Sequence, residues 1–327
     1  MDVVAPAWRD TWAHVSWRLT EAGMNVFVAG GSGTIGVPLV RGLVARNHRV
    51  FATTRSPAKQ AMIRSLGATP VLIDALDVAA LERAVRDAAP THVVHELTAL
   101  PRTAPRSARD LEPTNRLREE GTRNLLKAAI AAGARRIIAG SFAPIAAAPA
   151  QQAPDPHIDR AAEAVRSMES QIIDASRCGA IEGIVLRYGL FYGPGNPATD
   201  ELIALVRKRR LPRVRDDRGQ LPYIHLDDAV TATIAALDRG TPGSIYDIVD
   251  DHPTSFSEMV TELARVVGTR PPVTVPAWLL RIARPYVARL FALRVPLSNA
   301  KARQELGWAP MYPSYREGLR QTVARAA

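Results

Sequence analysis

The sequence predicts an α/β fold in which a doubly wound parallel sheet carries a smaller, mainly helical C-terminal lobe. Three observations predict it: apolar strand-like runs alternate with helix-like runs from Asn25 onward, a glycine-rich turn follows the first strand, and beyond Asp250 the chain becomes mainly helical with prolines at 253, 271, 272, 276 and 296. Strands that are apolar throughout belong to sheets covered on both faces. The 327 residues, 47% apolar and 23% charged, suffice for a substantial core, in one large domain or a main domain with a smaller partner.

Residues 1–23 read as an N-terminal extension. They lack a basic start and a continuous apolar stretch, so they are not a secretory signal, although Trp8, Trp12, Val15 and Leu19 share one helical face. Strands are expected at Asn25–Ala29, Arg49–Thr53, Pro70–Ile73, His92–Glu96, Arg136–Ala139, Gly183–Tyr188 and Ser244–Val249. Helical patterns fill the gaps at Thr34–Arg46, Pro57–Leu66, Val78–Ala88, Asp110–Ala132, Asp159–Cys178 and Asp227–Arg239. Residues 24–189 and 225–250 are expected to form the main domain, and 190–224 with 251–327 the lobe. The most apolar stretch, Ala277 to Leu293, is too interrupted by Arg281, Arg284, Pro285 and Arg289 to span a membrane. Its apolar spacing predicts an amphipathic helix, or two joined at Pro285, docked on the main domain.

Cys178 is the only cysteine, which excludes an intrachain disulfide framework and any cysteine-based metal cage, and a cytoplasmic setting follows as the expectation. The net charge of +10 is spread along the chain apart from the run Arg207-Lys208-Arg209-Arg210, so it reads as solvated surface and not as a nucleic-acid or membrane footprint. The histidines show no metal-ligand spacing.

The first strand runs into AGGSGTIG, placing Gly30, Gly33 and Gly36 at three-residue intervals, with Thr34 and Ile35 between them, before the helical VPLVRGLVAR. A strand, a tight glycine turn and a helix N-terminus make an anion site, because small residues let free N–H groups approach a pyrophosphate. Dinucleotide binding follows. At the end of the second strand, TTRSPAK offers Arg55 and Lys59 and no acid that would accept a ribose 2′-hydroxyl, so NADP(H) is favoured, with NAD as the alternative. Asp74 in VLIDALD either lies beside the adenine or caps the next helix.

In order along the chain, AGGSGTIG, VVHELTA, GTRNLLKAAIAAGARRIIAGS, LRYGLFYGPG, PYIHLDDAV and SNAKARQELGWAP resemble the extended short-chain dehydrogenase/reductase group, the NAD(P)-dependent epimerase/dehydratase family. The resemblance implies a Rossmann domain with a C-terminal substrate lobe and a cofactor across the strand ends. It also implies Leu97 at the cofactor and Ser141 as a hydrogen-bond donor to a substrate carbonyl. It further implies a tyrosine, with a lysine four residues later, as the proton donor. Phe142 to Arg187 contains neither residue type. A register anchored on Glu169 puts Ala161 and Val165 at those positions, and Arg118 falls where the family has an asparagine, with Asn115 a turn earlier. The chain looks like an atypical member of the family it resembles.

Without the phenol–ammonium couple, family-style ketone reduction loses a positioned acid, a factor of about 10²–10⁴ in rate. His157, Asp155, Asp159, Tyr192 or solvent are the candidate substitutes, each with an alternative role in a loop, cap or turn. Reduction of a conjugated C=C or quinone is a second route, needing only a group that steadies an enolate oxygen. Arg118, Arg187, Arg213 and Arg215 are candidate contacts to a small-molecule substrate, an anionic one included. The alternative for Arg213 and Arg215 is a solvated helix end. The leading expectation is an NADP(H)-dependent oxidoreductase of non-standard mechanism acting on a small carbonyl-containing or sugar-derived compound. The alternatives are a non-redox isomerase, cyclase or lyase keeping the nucleotide as scaffold, and an NADP(H)-binding redox sensor without turnover. Either a monomer or a homodimer fits.

Overall fold

A computed structural model describes residues 23–100, 107–147, 156–283 and 285–326; the predicted Trp8, Trp12, Val15 and Leu19 face and Asp155 lie outside the described residues. In chain order the first half comprises β1 (Asn25–Ala29), α1 (Gly36–Val44), β2 (Arg49–Thr54), α2 (Gln60–Ser65), β3 (Thr69–Leu72), α3 (Val78–Ala88), β4 (His92–His95), α4 (Glu112–Arg116), α5 (Thr122–Ala131), β5 (Arg136–Phe142), α6 (Ala143–Ala146), α7 (Pro156–Arg177) and β6 (Glu182–Tyr188). There follow β7 (Leu190–Tyr192), α8 (Pro197–Arg207), β8 (Arg213–Val214), β9 (Tyr223–His225), α9 (Leu226–Arg239), β10 (Ile245–Ile248), α10 (Phe256–Val267), β11 (Thr274–Val275), α11 (Ala277–Ala283), α12 (Pro285–Phe291), α13 (Ala300–Leu306) and α14 (Tyr315–Ala326).

Seven strands form one sheet in the order β10-β6-β5-β4-β1-β2-β3, and every pairing in it is parallel. The burial pattern explains the sequence. Val26, Val28, Val94, Ile138, Ile184 and Leu186 face one layer, where Leu39, Leu43, Val230 and Ile234 of α1 and α9 cover them. Phe27, Ala29, Val93, Ile137, Ala139 and Val185 face the other, under Leu81, Val85, Leu125 and Ile172. Because β1 pairs β2 on one side and β4 on the other, the chain reverses direction there. Such a reversal opens a crevice at the carboxyl ends of the strands.

A separate apolar cluster sits in the C-terminal part, where Ile203, Val206, Phe256, Met259, Leu263, Leu293, Tyr315 and Leu319 pack around Tyr192 and Tyr223. The β7–β9 and β8–β11 pairs lie in this part of the chain.

Two expectations need correction. The pattern over Asp110–Ala132 is not one helix. A 3₁₀ turn at Ala108–Leu111 leads into α4, and a π-helical turn at Leu117–Gly121 separates α4 from α5. A π-turn adds one residue to the helical repeat, which apolar spacing does not reveal. It buries Leu117 and Arg118 together while Glu119 reaches Arg160 at 2.6 Å. The Ala277–Leu293 segment is the pair of helices joined at Pro285, but it packs on the C-terminal cluster and not on the main sheet. Phe291 stacks on Phe256 with ring centroids 3.9 Å apart, Leu290 packs on the same cluster and Leu293 is buried there. In α11, Trp278, Leu279 and Ile282 stay exposed. Pro285 breaks the hydrogen-bond ladder, so the two halves need not present one continuous face.

His225 caps α9, its Nδ1 accepting from the Asp227 N–H at 3.1 Å, and the Asp228 carboxylate accepts from the Met311 and Tyr312 N–H groups at 2.7 and 3.0 Å. The two bonds to Asp228 tie the C-terminal segment to α9. Burial pushes the Asp228 carboxyl up to about 7 and the Asp250 carboxyl up to about 9. Both groups hold a proton longer in the folded chain than in the unfolded one. Stability is therefore expected to be fullest near pH 4 with respect to these groups, to decline as pH rises, and to finish declining above about pH 9. Urea midpoints between pH 5 and 9.5 measure this, and Asp250→Asn should flatten the alkaline part of the curve.

Candidate functional site

The crevice at the strand ends is a cleft of about 230 Å³, lined by Gly30, Ser32, Gly33, Thr53, Thr54, Arg55, Ser56, Lys59, Ile73, Ala75, Glu96, Leu97, Thr98 and Leu117. Its floor is built from close backbone approaches. Gly30 adopts φ +93°, and a Cβ there would lie 2.4 Å from the Glu96 carbonyl oxygen. A Cβ on Gly36, the first residue of α1, would lie 2.2 Å from the Gly30 carbonyl oxygen. The turn folds back on the helix start only because both side chains are missing. No acid occupies the first turn of α1 and no side chain caps it. The Val37 N–H donates to the Gly33 carbonyl at 3.1 Å and Pro38 has no N–H, so the backbone that would face a ligand anion is that of the turn up to Gly36.

The end of β2 is fastened to this turn. Thr53 Oγ1 accepts from the Gly30 N–H at 2.8 Å, Ser32 Oγ donates to Thr54 Oγ1 at 3.0 Å, and Lys59 Nζ donates to the Ser32 carbonyl at 3.1 Å. Arg55 lies exposed on the cleft wall beside Lys59. The residues fit a dinucleotide: the cradle that admits no Cβ would take the pyrophosphate, and at the β2 end Arg55 and Lys59, with no acid among the lining residues there, would suit a ribose phosphate. Arg55→Ala is expected to weaken NADPH binding tenfold to hundredfold, the loss of one charge-assisted contact of about 1.5–3 kcal/mol, while leaving NADH almost unchanged. Fluorescence titration with both nucleotides checks this.

Of the residues expected at the cofactor, Gly30, Gly33, Arg55 and Leu97 line the cleft, and Gly36 packs beneath it. Thr34 is exposed beside the turn, and Ile35 turns into the core between sheet and α1. Asp74 is not among the lining residues. Its side chain is exposed and accepts from the Leu76 N–H at 3.0 Å, while Asp77 caps α3 and Ile73 and Ala75 line the wall instead.

Past the cleft, at the ends of β5 and β6, Ser141 donates to Glu169 Oε1 at 2.6 Å, and the Arg187 guanidinium holds both oxygens of the same carboxylate at 2.9 and 2.6 Å. Glu169 is 5% exposed. The expected substrate contacts Ser141 and Arg187 are thus joined through a buried carboxylate. A hydroxyl has one hydrogen to give, and that of Ser141 goes to Glu169.

Ala161 and Val165, two turns and one turn before Glu169 on α7, have no exposed surface. They pack with Leu111, Ile145 and Ala162 into a small apolar cluster, leaving no ionisable group where the resemblance implied tyrosine and lysine.

The remaining candidates are dispersed. Tyr192 is buried in the C-terminal cluster with its ring edge-on to His225, and burial holds its phenol far above the usual range, so it is no proton donor at the strand ends. His157 lies in the first turn of α7, its side chain outside the described residues. Asp159 also falls in that turn. Arg118 is buried in the π-turn, where with burial it keeps the His95 imidazole neutral, lowered to about 4. Arg213 donates to Thr274 Oγ1 at 2.7 Å and, with Arg218, Arg294 and Arg316, lines a broad groove in the C-terminal part; Arg215 is exposed and does not line it.

Sequence reasoning missed Glu96. The one acid in the apolar run VVHELTA was the available signal. Its carboxyl accepts from the Tyr188 phenol at 3.1 Å and lies against Gly140, where a Cβ would meet it at 2.4 Å.

Residues 26–248 match the model of the NAD dependent epimerase/dehydratase family, and the chain belongs to that family. It is an NAD(P)-dependent oxidoreductase-like enzyme. A 3-diazoavenalumate denitrifying reductase from a Streptomyces species is 38% identical over 316 residues, covering 90% of this chain and 99% of that protein. A 2-alkyl-3-oxoalkanoate reductase from Stenotrophomonas maltophilia is 27% identical, covering 93% of this chain and all of the other. Among solved structures, a Thermus thermophilus UDP-glucose 4-epimerase in complex with NAD shares the fold with a TM-score of 0.73 at 24% identity, over 91% of this chain and 97% of that one. Among the described residues, no helix is long and apolar enough to cross a membrane, and no cluster of metal-ligating side chains occurs.

Proposed function

We propose that this protein is an NADP(H)-dependent reductase whose substrate accepts hydride without a protein phenol to protonate the product, and that a diazo-bearing aromatic compound is that substrate. The observation that carries the reading is the apolar face of α7, where Ala161 and Val165 are fully buried beside a serine whose hydrogen is committed to Glu169. Such a face cannot lower the pKa of a donor or stabilise an alkoxide.

NADPH, when bound by the glycine turn, Arg55 and Lys59, supplies a hydride. On a carbon bearing a diazonium group that hydride forms the new C–H bond as the C–N bond breaks and N₂ departs, so charge and atoms balance with no proton donated. The protein's part is to hold the nucleotide, orient the acceptor and keep water out; the Glu169–Arg187 pair fixes the ends of β5 and β6 beside it. The 38% identity to a protein named as a denitrifying reductase of a diazo compound supports the same class. Residues 24–189 and 225–250 serve as the nucleotide-binding unit and 190–224 with 251–327 as the substrate lobe, in a cytoplasmic enzyme. Arg213 and Arg215 are available there to an anionic substituent.

The test is stoichiometry. With NADPH and an ortho-hydroxyarenediazonium acceptor, the protein should release one N₂ per NADPH oxidised, above the rate without protein, and should reduce 2-alkyl-3-oxoalkanoates poorly. Efficient reduction of the ketone with no nitrogen release overturns the proposal.

A further inference from the structure

We infer that Glu96 is a cofactor-cleft acid that must carry a proton for the nucleotide to bind, so that nucleotide binding and the protonation of this one carboxyl are coupled. The inference rests on the reading of the cleft as a dinucleotide site and deepens it.

The geometry is that of a carboxyl with no counter-charge. Glu96 follows directly on β4, and its N–H donates to the Ala29 carbonyl at 2.8 Å, which fixes it at the end of β1 beside the glycine turn. From there the side chain runs across the sheet edge. β5 offers it Gly140, with no side chain, and β6 offers the Tyr188 phenol, which also shares a 2.7 Å hydrogen bond with Thr233 of α9. On its own strand His95 points the other way, to Thr122 at 2.8 Å. Arg187 of β6 is engaged by Glu169. From β1, β5, β6 and α9, the only titratable group facing the carboxyl is therefore a neutral phenol; Arg55 and Lys59 line the same cleft from the β2 end, where Lys59 is held by the Ser32 carbonyl, and neither forms an ion pair with Glu96.

A carboxylate so placed would share a cleft with a pyrophosphate. Its burial without a cation already favours the neutral acid, pushing the carboxyl up to about 8. The bound anion adds like-charge repulsion in a low-dielectric setting, which favours the neutral form further. By linkage, whatever favours the proton when nucleotide is bound must favour nucleotide when the proton is bound. The conservative isostere is glutamine, which keeps the shape and the acceptor for Tyr188 but cannot ionise.

The experiment measures the NADPH and NADH dissociation constants from pH 7.5 to 9.5, above the titration of the nucleotide's own 2′-phosphate, for the unaltered protein and for Glu96→Gln. The unaltered protein should weaken by about tenfold or more across this window for both nucleotides, the response expected of one coupled proton. Glu96→Gln, whatever its affinity at pH 7.5, should bind with an affinity that stays flat across the window. A second measurement needs no variant: calorimetry of NADPH binding near pH 8.5, in buffers of different ionisation enthalpy, should show net proton uptake. Affinity that is independent of pH, an equal slope in Glu96→Gln, or binding without proton uptake overturns the inference alone. Failure of both nucleotides to bind at any pH overturns the dinucleotide reading and this inference with it.

Discussion

Replacing Glu169 by alanine is expected to destabilise the protein by about 3–5 kcal/mol, the usual result of removing one partner from a buried ion pair. The carboxylate is 5% exposed and receives three hydrogen bonds, one from Ser141 and two from Arg187. Its removal leaves a guanidinium, 24% exposed at the side chain, and a buried hydroxyl with no acceptor in place. Ser141→Ala removes only one of the three bonds, so its expected cost is smaller, about 1.5–3 kcal/mol. Urea denaturation at pH 7 measures both. A loss below about 1 kcal/mol in Glu169→Ala would mean that the pair does not hold the ends of β5 and β6. The pair also bears on chemistry: if Ser141 were the donor to a substrate oxyanion, its alanine variant would lose about 10²–10³ in kcat, whereas a serine committed to Glu169 should lose only a few-fold.

The second large effect is expected at Gly36. A methyl group there would lie 2.2 Å from the Gly30 carbonyl oxygen and 2.8 Å from the backbone of Gly31, and neither backbone group can yield without opening the turn. Gly36→Ala should therefore reduce NADPH affinity by about a hundredfold or more. Far-UV circular dichroism separates loss of the site from loss of the fold, since α1 is one helix among many. Affinity within threefold of the unaltered protein would show that the turn is not the pyrophosphate cradle.

These two sites illustrate what could be read from the chain and what could not. The glycine turn was legible because its constraint is local: residues adjacent in sequence meet each other, and only glycine fits. The same holds for the parallel sheet, whose strands are apolar on both faces and so announce their burial. The place of Arg55 on the cleft wall was legible for the same reason, since it directly follows Thr53 and Thr54, which fix the turn. The Ser141–Glu169–Arg187 junction was not, because it joins three elements separated by 18 to 28 residues in a geometry that no spacing encodes. Arg187 was therefore read as a substrate contact when it serves a buried carboxylate. The structure places Tyr192, the last residue of β7, in the C-terminal cluster and turns Asp74 to the Leu76 N–H, and no local pattern distinguishes these placements from facing the cleft. The π-turn at Leu117–Gly121 hides from periodicity because one inserted residue shifts every later position by the same amount.

The proposed reaction requires that hydride leave the nucleotide and arrive on the substrate carbon. The most direct measurement is mass spectrometry of the product formed from an ortho-hydroxyarenediazonium acceptor and NADPH carrying deuterium at the transferable C4 position, in ordinary water. One deuterium per product molecule, on the carbon that lost nitrogen, is the result predicted. Product formed at the enzymatic rate without deuterium, the new hydrogen coming from water, would contradict it.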